Sequence, residues 1–184
     1  MKYLIGLVVF IFLIIFIIIK LLTGGSGEKP KLPPSLASYA DTSTTVRYII
    51  DNPVQATQNH HDIVIEVGSS STDIKITQGY DGDVIKEQSF PMTEAAYDAF
   101  LRSLQHSGGY TLGNADSSLQ DERGYCATGN RYSYDIVNGD GDRIQHYWST
   151  SCNEKTFKGK ADVVRDLFVS QVPNFDEFTN GIAF

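Results

Sequence analysis

Basic residues are few in this sequence of 184 amino acids, which has 15 Lys and Arg against 22 Asp and Glu. Two of the lysines, Lys2 and Lys20, flank the first apolar run, so the rest of the chain carries 13 basic and 22 acidic residues. Only the sparse group Lys155, Lys158 and Lys160 approaches a basic cluster. Because a nucleic-acid partner requires a basic stripe that displaces counterions from phosphates, this composition argues against nucleic-acid binding.

Motifs that identify a catalytic or phosphate-binding site are also absent: there is no G-x-S-x-G, H-E-x-x-H or phosphate-cradling glycine loop. Asn138, Asp140 and Asp142 match the first three ligands of a calcium-binding loop. The match then fails, because Arg143 stands where the loop requires glycine and Ser149 stands where it requires glutamate. We therefore expect a plain hairpin turn at these positions.

The histidines offer the remaining candidates for chemistry. His60, His61 and Asp62 could supply metal ligands, but adjacent residues entering a strand point to opposite faces, so both imidazoles cannot easily reach one ion. We expect a solvated strand entry there. His146 is expected on the inner face of a strand as a satisfied core or rim histidine. The sequence thus predicts no catalytic residues, no cofactor and no metal site.

A long apolar run opens the chain and extends from Tyr3 to Ile19, and Leu21 and Leu22 continue it. About 20 apolar residues suffice to cross the hydrocarbon core of a membrane, so residues 1–22 are predicted to be a transmembrane helix in the lipid bilayer. A cleaved signal peptide is the alternative. Its apolar stretch is usually shorter, but the small residues that follow, Thr23 to Gly27, leave cleavage open.

Glycine, serine and proline dominate residues 23–38, which are predicted to form a linker, flexible first and extended later. Residues 39–184 then form the domain. The positive charges on the two sides of the anchor do not decide its orientation. A long tail can be translocated regardless of charge, and the cysteines favour an oxidising compartment, so we expect a single-pass cell-membrane protein with its C-terminal domain outside the cytoplasm.

The domain is predicted to be α+β, an antiparallel sheet of about six strands with two helices packed on one face, preceded by the single transmembrane helix. Alternating and β-branched segments predict strands near residues 44–50, 62–67, 72–77, 84–90, 132–136 and 144–148. A period of about 3.6 predicts one helix that Thr93 could cap and another containing residues 163–168. Short hairpin connections and the lack of a βαβ pattern favour the antiparallel arrangement.

The chain has only two cysteines, Cys126 and Cys152, and each lies 13 residues from Gly139 at the centre of the predicted last hairpin. If Tyr132, Tyr134 and Ile136 share a face with Ile144, His146 and Trp148, the cysteines meet near the open end of that hairpin. Their Cα atoms would then be about 4.4 to 6.8 Å apart, as a disulfide requires. Two unrelated buried thiols are the alternative.

The connection from Gly113 to Asn130 is longer than most structureless loops, and long loops often carry function. It contains Asp121, Glu122, Arg123 and Tyr125, which we predict as a partner-binding segment. A loop that is merely packed locally and held by Cys126 is an equal alternative.

Four runs of the sequence carry a resemblance to a known group: Glu122 to Cys126, Arg131 to Tyr134, Tyr147 to Cys152 and Val164 to Phe168. With them the chain resembles uncharacterised small bacterial membrane-anchored proteins whose outer domain follows one apolar helix. The resemblance implies no activity and no catalytic residues. We therefore expect a non-enzymatic cell-envelope module that binds an envelope protein or glycan. The alternative is an enzyme or enzyme inhibitor whose site is assembled only in three dimensions.

Overall fold

A computed structural model describes residues 35–40, 43–114, 122–152 and 156–182, which belong to the unit Pro34–Phe184. The predicted anchor, residues 1–22, and most of the predicted linker lie outside the described residues. Within the described ranges no helix is both long and apolar enough to cross a membrane. The last residues assigned to the linker already belong to folded structure, because a 3-10 helix spans Leu36–Tyr39 and Leu36 is buried in the core.

Six strands form one sheet in which every neighbouring pair is antiparallel, as the sequence predicts. Their order across the sheet is β4-β3-β2-β1-β5-β6, so consecutive strands are neighbours except where β5 adds to the free side of β1. The strands are β1 (Thr45–Asp51), β2 (His61–Val67), β3 (Ser71–Gln78), β4 (Asp83–Pro91), β5 (Arg131–Val137) and β6 (Arg143–Thr150).

Helices cover one face of this sheet, so the predicted α+β architecture is confirmed for the described residues. The two longer helices are α1 (Glu94–His106) and α2 (Ala161–Val169), and α3 (Phe175–Phe178) is a single turn; short 3-10 helices span Thr57–Asn59 and Tyr110–Leu112. Thr93 caps α1 as predicted, because its hydroxyl accepts a hydrogen bond of 3.2 Å from the backbone N–H of Ala96.

The core lies between the helices and the inner face of the sheet, which we define as the face that carries Tyr48 and Tyr134. Core residues recur at every second position along β1, β2 and β3, so each strand gives one face to the core; they are Val46, Tyr48 and Ile50, then Ile63, Ile65 and Val67, then Ile74 and Ile76. The ring of Tyr48 stacks on Tyr134 at 5.5 Å and on Phe168 of α2 at 5.3 Å between centroids. These buried aromatics fix how the second helix packs on the sheet.

The β5–β6 hairpin turns where predicted but pairs in a different register. Asn138 organises the turn, since its side-chain oxygen accepts hydrogen bonds from the backbone N–H groups of Asp140 and Asp142. Tyr134 lies opposite Tyr147, whereas the sequence placed His146 and Trp148 on its face. That prediction is wrong because the pairing shifts by one between Ile136 and Val137, and a one-residue shift moves every following side chain to the other face.

Candidate functional site

The outer face of the sheet, opposite the helices, carries a row of alternating charges across four strands. The pairing places Glu66 beside Arg47, Arg47 beside Asp135, and Asp135 beside His146. Arg47 Nε lies 2.5 Å from a Glu66 oxygen, and Lys75 approaches the other Glu66 oxygen at 3.4 Å. Opposite charges that face each other across strands attract, so the register itself is supported by this charged row.

His146 lies between two carboxylates at the β6 end of the row. Its Nδ1 donates to Asp135 Oδ1 at 2.6 Å, and its Nε2 donates to Glu122 Oε2 at 2.9 Å. Burial alone would lower the pKa of His146, but the hydrogen bonds to Asp135 and then Glu122 outweigh it and raise the pKa to about 9. The imidazole is therefore doubly protonated near neutral pH.

The geometry corrects the expected position of this histidine. The sequence placed His146 on the inner face as a core or rim residue, but it projects from the outer face together with Asp135. Arg143 Nη1 lies 3.2 Å from His146 Nδ1, yet that nitrogen already donates its proton to Asp135. A nitrogen that donates cannot also accept, so the approach of Arg143 is a contact without a hydrogen bond.

A second cluster lies at the end of the same face, where β1 ends and β2 begins. Arg131 forms a two-pronged ion pair with Asp51, with its Nε and Nη2 each 2.8 Å from a different carboxylate oxygen. His60 Nε2 lies 3.3 Å from Asp62 Oδ1 and 3.6 Å from Asp51 Oδ1. Burial, and then the charge of Asp51, raise the pKa of Asp62 to about 6.

The expectation of a solvated strand entry is wrong for His60. Only 3 % of this residue is exposed, and Tyr80 stacks on its ring at 4.2 Å between centroids. His61 does point elsewhere, because its Nδ1 contacts the backbone oxygen of Asn59 at 2.9 Å. Asp51 was not among the predicted candidates, because it belongs to the adjacent strand β1, which places it directly opposite Asp62.

The predicted disulfide is present in the structure. Cys126 and Cys152 are bonded, and their Cα atoms are 5.6 Å apart, within the predicted window. The hairpin register that motivated the prediction is wrong. The bond still forms because both cysteines lie beyond the paired ends of β5 and β6, where the chain is no longer held to the ladder.

The predicted partner-binding loop is described from Glu122 onward, and Asp121 lies outside the described residues. Glu122 faces inward, since it contacts His146 and accepts a hydrogen bond from Ser133 at 3.3 Å. Arg123 is exposed. Tyr125 packs its ring on buried Trp148 at 5.0 Å between centroids while 38 % of the residue stays exposed. The loop thus exposes part of one aromatic side chain, Tyr125, while Glu122 and the ring contact with Trp148 hold the loop against the sheet.

The histidines of the described ranges contact no hydroxyl or thiol that could serve as a nucleophile. Their hydrogen bonds and ion pairs involve carboxylates, the backbone oxygen of Asn59 and Arg143. Nucleophilic catalysis requires a base within hydrogen-bonding reach of the attacking group, and these contacts supply none. What the outer face does bring together is paired charge and two groups of imidazole with carboxylates, one at His146 and one at His60.

Comparison with known proteins finds no matching family model, no matching curated protein and no matching solved structure. The described residues define a disulfide-bonded α+β domain with a charged outer sheet face. Disulfides persist in oxidising compartments, so the bond is typical of a domain outside the cytoplasm.

Proposed function

We propose that this protein is a membrane-anchored extracytoplasmic module that binds another envelope protein through the loop at residues 122–130. Residues 1–22 supply the anchor in this proposal, for the reasons of length and hydropathy given by the sequence. The acidic chain, its disulfide and the absence of recognisable catalytic motifs support a binding role outside the cytoplasm. The contact surface would be Tyr125 together with the exposed side chain of Val54, whose backbone is hydrogen-bonded to the loop at Ala127.

The observation that carries the proposal is an exposed aromatic residue on a loop held from three sides. The disulfide fixes Cys126, the bond to His146 fixes Glu122, and Trp148 supports the ring of Tyr125. The backbone N–H of Val54 also donates to the Ala127 oxygen at 2.8 Å, which joins the loop to the segment that follows β1. A contact surface already fixed before binding loses little conformational entropy in a complex, and tyrosine is enriched at such surfaces.

The test places a photo-crosslinking amino acid at Tyr125 in the full-length chain in intact cells. We expect one discrete crosslinked species that protease digestion converts to peptides. The matched control carries the same probe at Leu112, which is 60 % exposed on a different segment and should give no such species. Equal labelling at both positions, or none at Tyr125, would refute the proposed contact surface. A protease-resistant crosslinked product would instead identify a glycan as the partner.

An enzyme or enzyme inhibitor remains the rival function. The charged outer face is the observation that favours it, because His146 and His60 each lie among carboxylates. His146 is protonated near neutral pH, so it would have to act as an acid or an anchor rather than a base. Hydrolysis by the purified chain that is lost in H146Q but kept in Y125A would support this rival.

A further inference from the structure

We infer that Asp51, His60 and Asp62 form a binding site for one divalent transition-metal ion of the zinc type. The ligands are the Nε2 atom of His60 and one carboxylate oxygen from each aspartate. These three atoms lie within 4.8 Å of one another, and the three residues come from the end of β1, the residue before β2 and the start of β2. The inference is independent of the proposed partner at Tyr125.

The spacing of the ligand atoms fits a tetrahedral ion. Zinc binds imidazole nitrogen and carboxylate oxygen at about 2.0 to 2.2 Å, so neighbouring tetrahedral ligands lie roughly 3.3 to 3.6 Å apart. His60 Nε2 is 3.3 Å from Asp62 Oδ1 and 3.6 Å from Asp51 Oδ1. Both distances from the imidazole therefore fit a tetrahedral ion, and the two carboxylate oxygens lie within 4.8 Å of each other.

The cluster also contains buried polar atoms without hydrogen bonds. His60 is 3 % exposed, its Nε2 lies 3.3 Å from Asp62 Oδ1 and 3.6 Å from Asp51 Oδ1, and its Nδ1 is the ring nitrogen that is buried without a hydrogen-bond partner in the described residues. Asp62 Oδ1 is buried and has no hydrogen-bond partner in that part of the chain. Leaving a buried carboxylate oxygen unsatisfied is costly in a folded protein, whereas a cation bound between Asp62 Oδ1 and His60 Nε2 would satisfy that oxygen.

The charges around the cluster are compatible with a bound cation. Arg131 forms an ion pair with Asp51 and so offsets one of the two carboxylate charges, which leaves the charge of Asp62 to attract a cation. Arg131 binds both oxygens of Asp51, but each carboxylate oxygen has a second lone pair for a metal. Tyr80 stacks on the His60 ring at 4.2 Å between centroids and supports its orientation.

The ligand set selects the class of metal and leaves a coordination position open. One imidazole with two carboxylates suits zinc-type ions, whereas calcium takes six or more oxygens and magnesium prefers oxygen with several waters. Asp51 and Asp62 are 25 % and 27 % exposed, so solvent reaches the carboxylate side of the cluster. Three protein ligands and an accessible fourth position would let a water molecule complete the coordination.

The first experiment titrates the metal-free full-length chain, purified in detergent, with Zn²⁺ in a calorimeter. We expect one ion per chain and a melting temperature that rises with Zn²⁺ concentration, because a ligand that binds the folded state stabilises it. Co²⁺ should bind at the same place and show the visible absorption of a tetrahedral ion. A wild-type chain that takes up neither ion stoichiometrically overturns the inference.

Matched variants locate the ion. D62N keeps the shape of the side chain but removes its charge, and we expect the affinity for Zn²⁺ to fall at least about tenfold, or about 1.4 kcal/mol. H61Q changes the adjacent histidine, which faces away, and should bind like the wild type. If D62N does not fold, the Co²⁺ spectrum of H61Q distinguishes the two histidines. A tetrahedral spectrum like that of the wild type shows that His61 is not a ligand, whereas loss of that spectrum shows that it is. Unchanged binding by folded D62N, or lost binding by H61Q, contradicts the assignment.

Discussion

At the scale of single residues, His146 has the most definite electrostatic role in the described part of the chain. It joins Asp135 of β5 to Glu122 of the loop through both ring nitrogens. Each hydrogen bond requires a proton on the imidazole, so both carboxylates favour the charged form. The contact between the loop and the sheet consequently depends on the positive charge of the His146 imidazole, which is lost when the pH is high enough.

We predict that this tie makes stability depend on pH in alkaline solution. The pKa of His146 is about 9 in the folded chain against 6.5 as its ordinary value. Because the folded-state pKa is raised, the stabilisation is fully present below about pH 6.5 and is lost as the pH rises through about 9. The corresponding change in the free energy of unfolding is at most about 3 kcal/mol, from the size of the shift.

Urea denaturation at a series of pH values measures this dependence. H146Q should flatten the loss of stability between about pH 6.5 and pH 9. The matched control is H106Q, which changes an exposed histidine at the end of α1 and should keep the wild-type pH profile. The same alkaline loss in H146Q and in the wild type would show that another group is responsible.

At the scale of elements, the β5–β6 hairpin is held together by contacts outside its paired residues as well as by strand pairing. The disulfide closes the chain between Cys126 and Cys152, 26 residues apart, around the whole hairpin. Gly129 lies against this bond, and a Cβ there would come 2.7 Å from Cys126 Sγ and would clash with the Ser151 hydroxyl. The close packing at the open end of the hairpin therefore requires glycine as well as the two cysteines.

We predict that reduction lowers the free energy of unfolding by about 3.5 kcal/mol, the chain-entropy value for a closed segment of this length. Urea denaturation with and without reductant measures the difference. The double variant C126S/C152S should have the lower stability in both conditions and should not respond to reductant. A wild-type chain whose stability is unchanged by reductant would show that the bond does not contribute.

At the scale of the whole molecule, the location of the domain and the attachment of the chain to a membrane depend on different parts of the sequence. The domain described from residue 35 onward bears on location, and the apolar N-terminal run bears on attachment. The disulfide favours a domain outside the cytoplasm, whereas the attachment to a membrane rests on the sequence of residues 1–22 alone. Attachment and location are therefore tested on the intact chain.

We predict that the chain is recovered in the membrane fraction with its N-terminal run intact. Sequencing the N-terminus of the mature protein distinguishes an anchor from a cleaved signal peptide. The control replaces Leu13 and Ile14 with lysine, because two charges in the centre of the run should prevent stable insertion. A soluble wild-type product that begins near Ser26 or Gly27 would contradict the anchor.

The class of fold could be predicted from the amino-acid sequence, because the patterns that indicate it are local. Alternating residues in segments such as Ile63 to Val67 predict strands, and the spacing of Phe100 and Leu104 predicts a helix with one buried side. The turn at Asn138 and the cap at Thr93 also follow from short-range chemistry. The disulfide was predicted from the equal spacing of Cys126 and Cys152 from Gly139, and it is present although the register assumed with it is wrong.

The register of the β5–β6 hairpin and the grouping of Asp51, His60 and Asp62 became visible only in the tertiary structure. A one-residue shift beside Ile136 reversed the expected faces of His146 and Trp148, and no local pattern marks such a shift. The metal-binding cluster needed Asp51, which is nine residues before His60 and comes close only because β1 and β2 pair. Periodicity specifies which residues share a face of one strand, but only strand pairing brings side chains of different strands together.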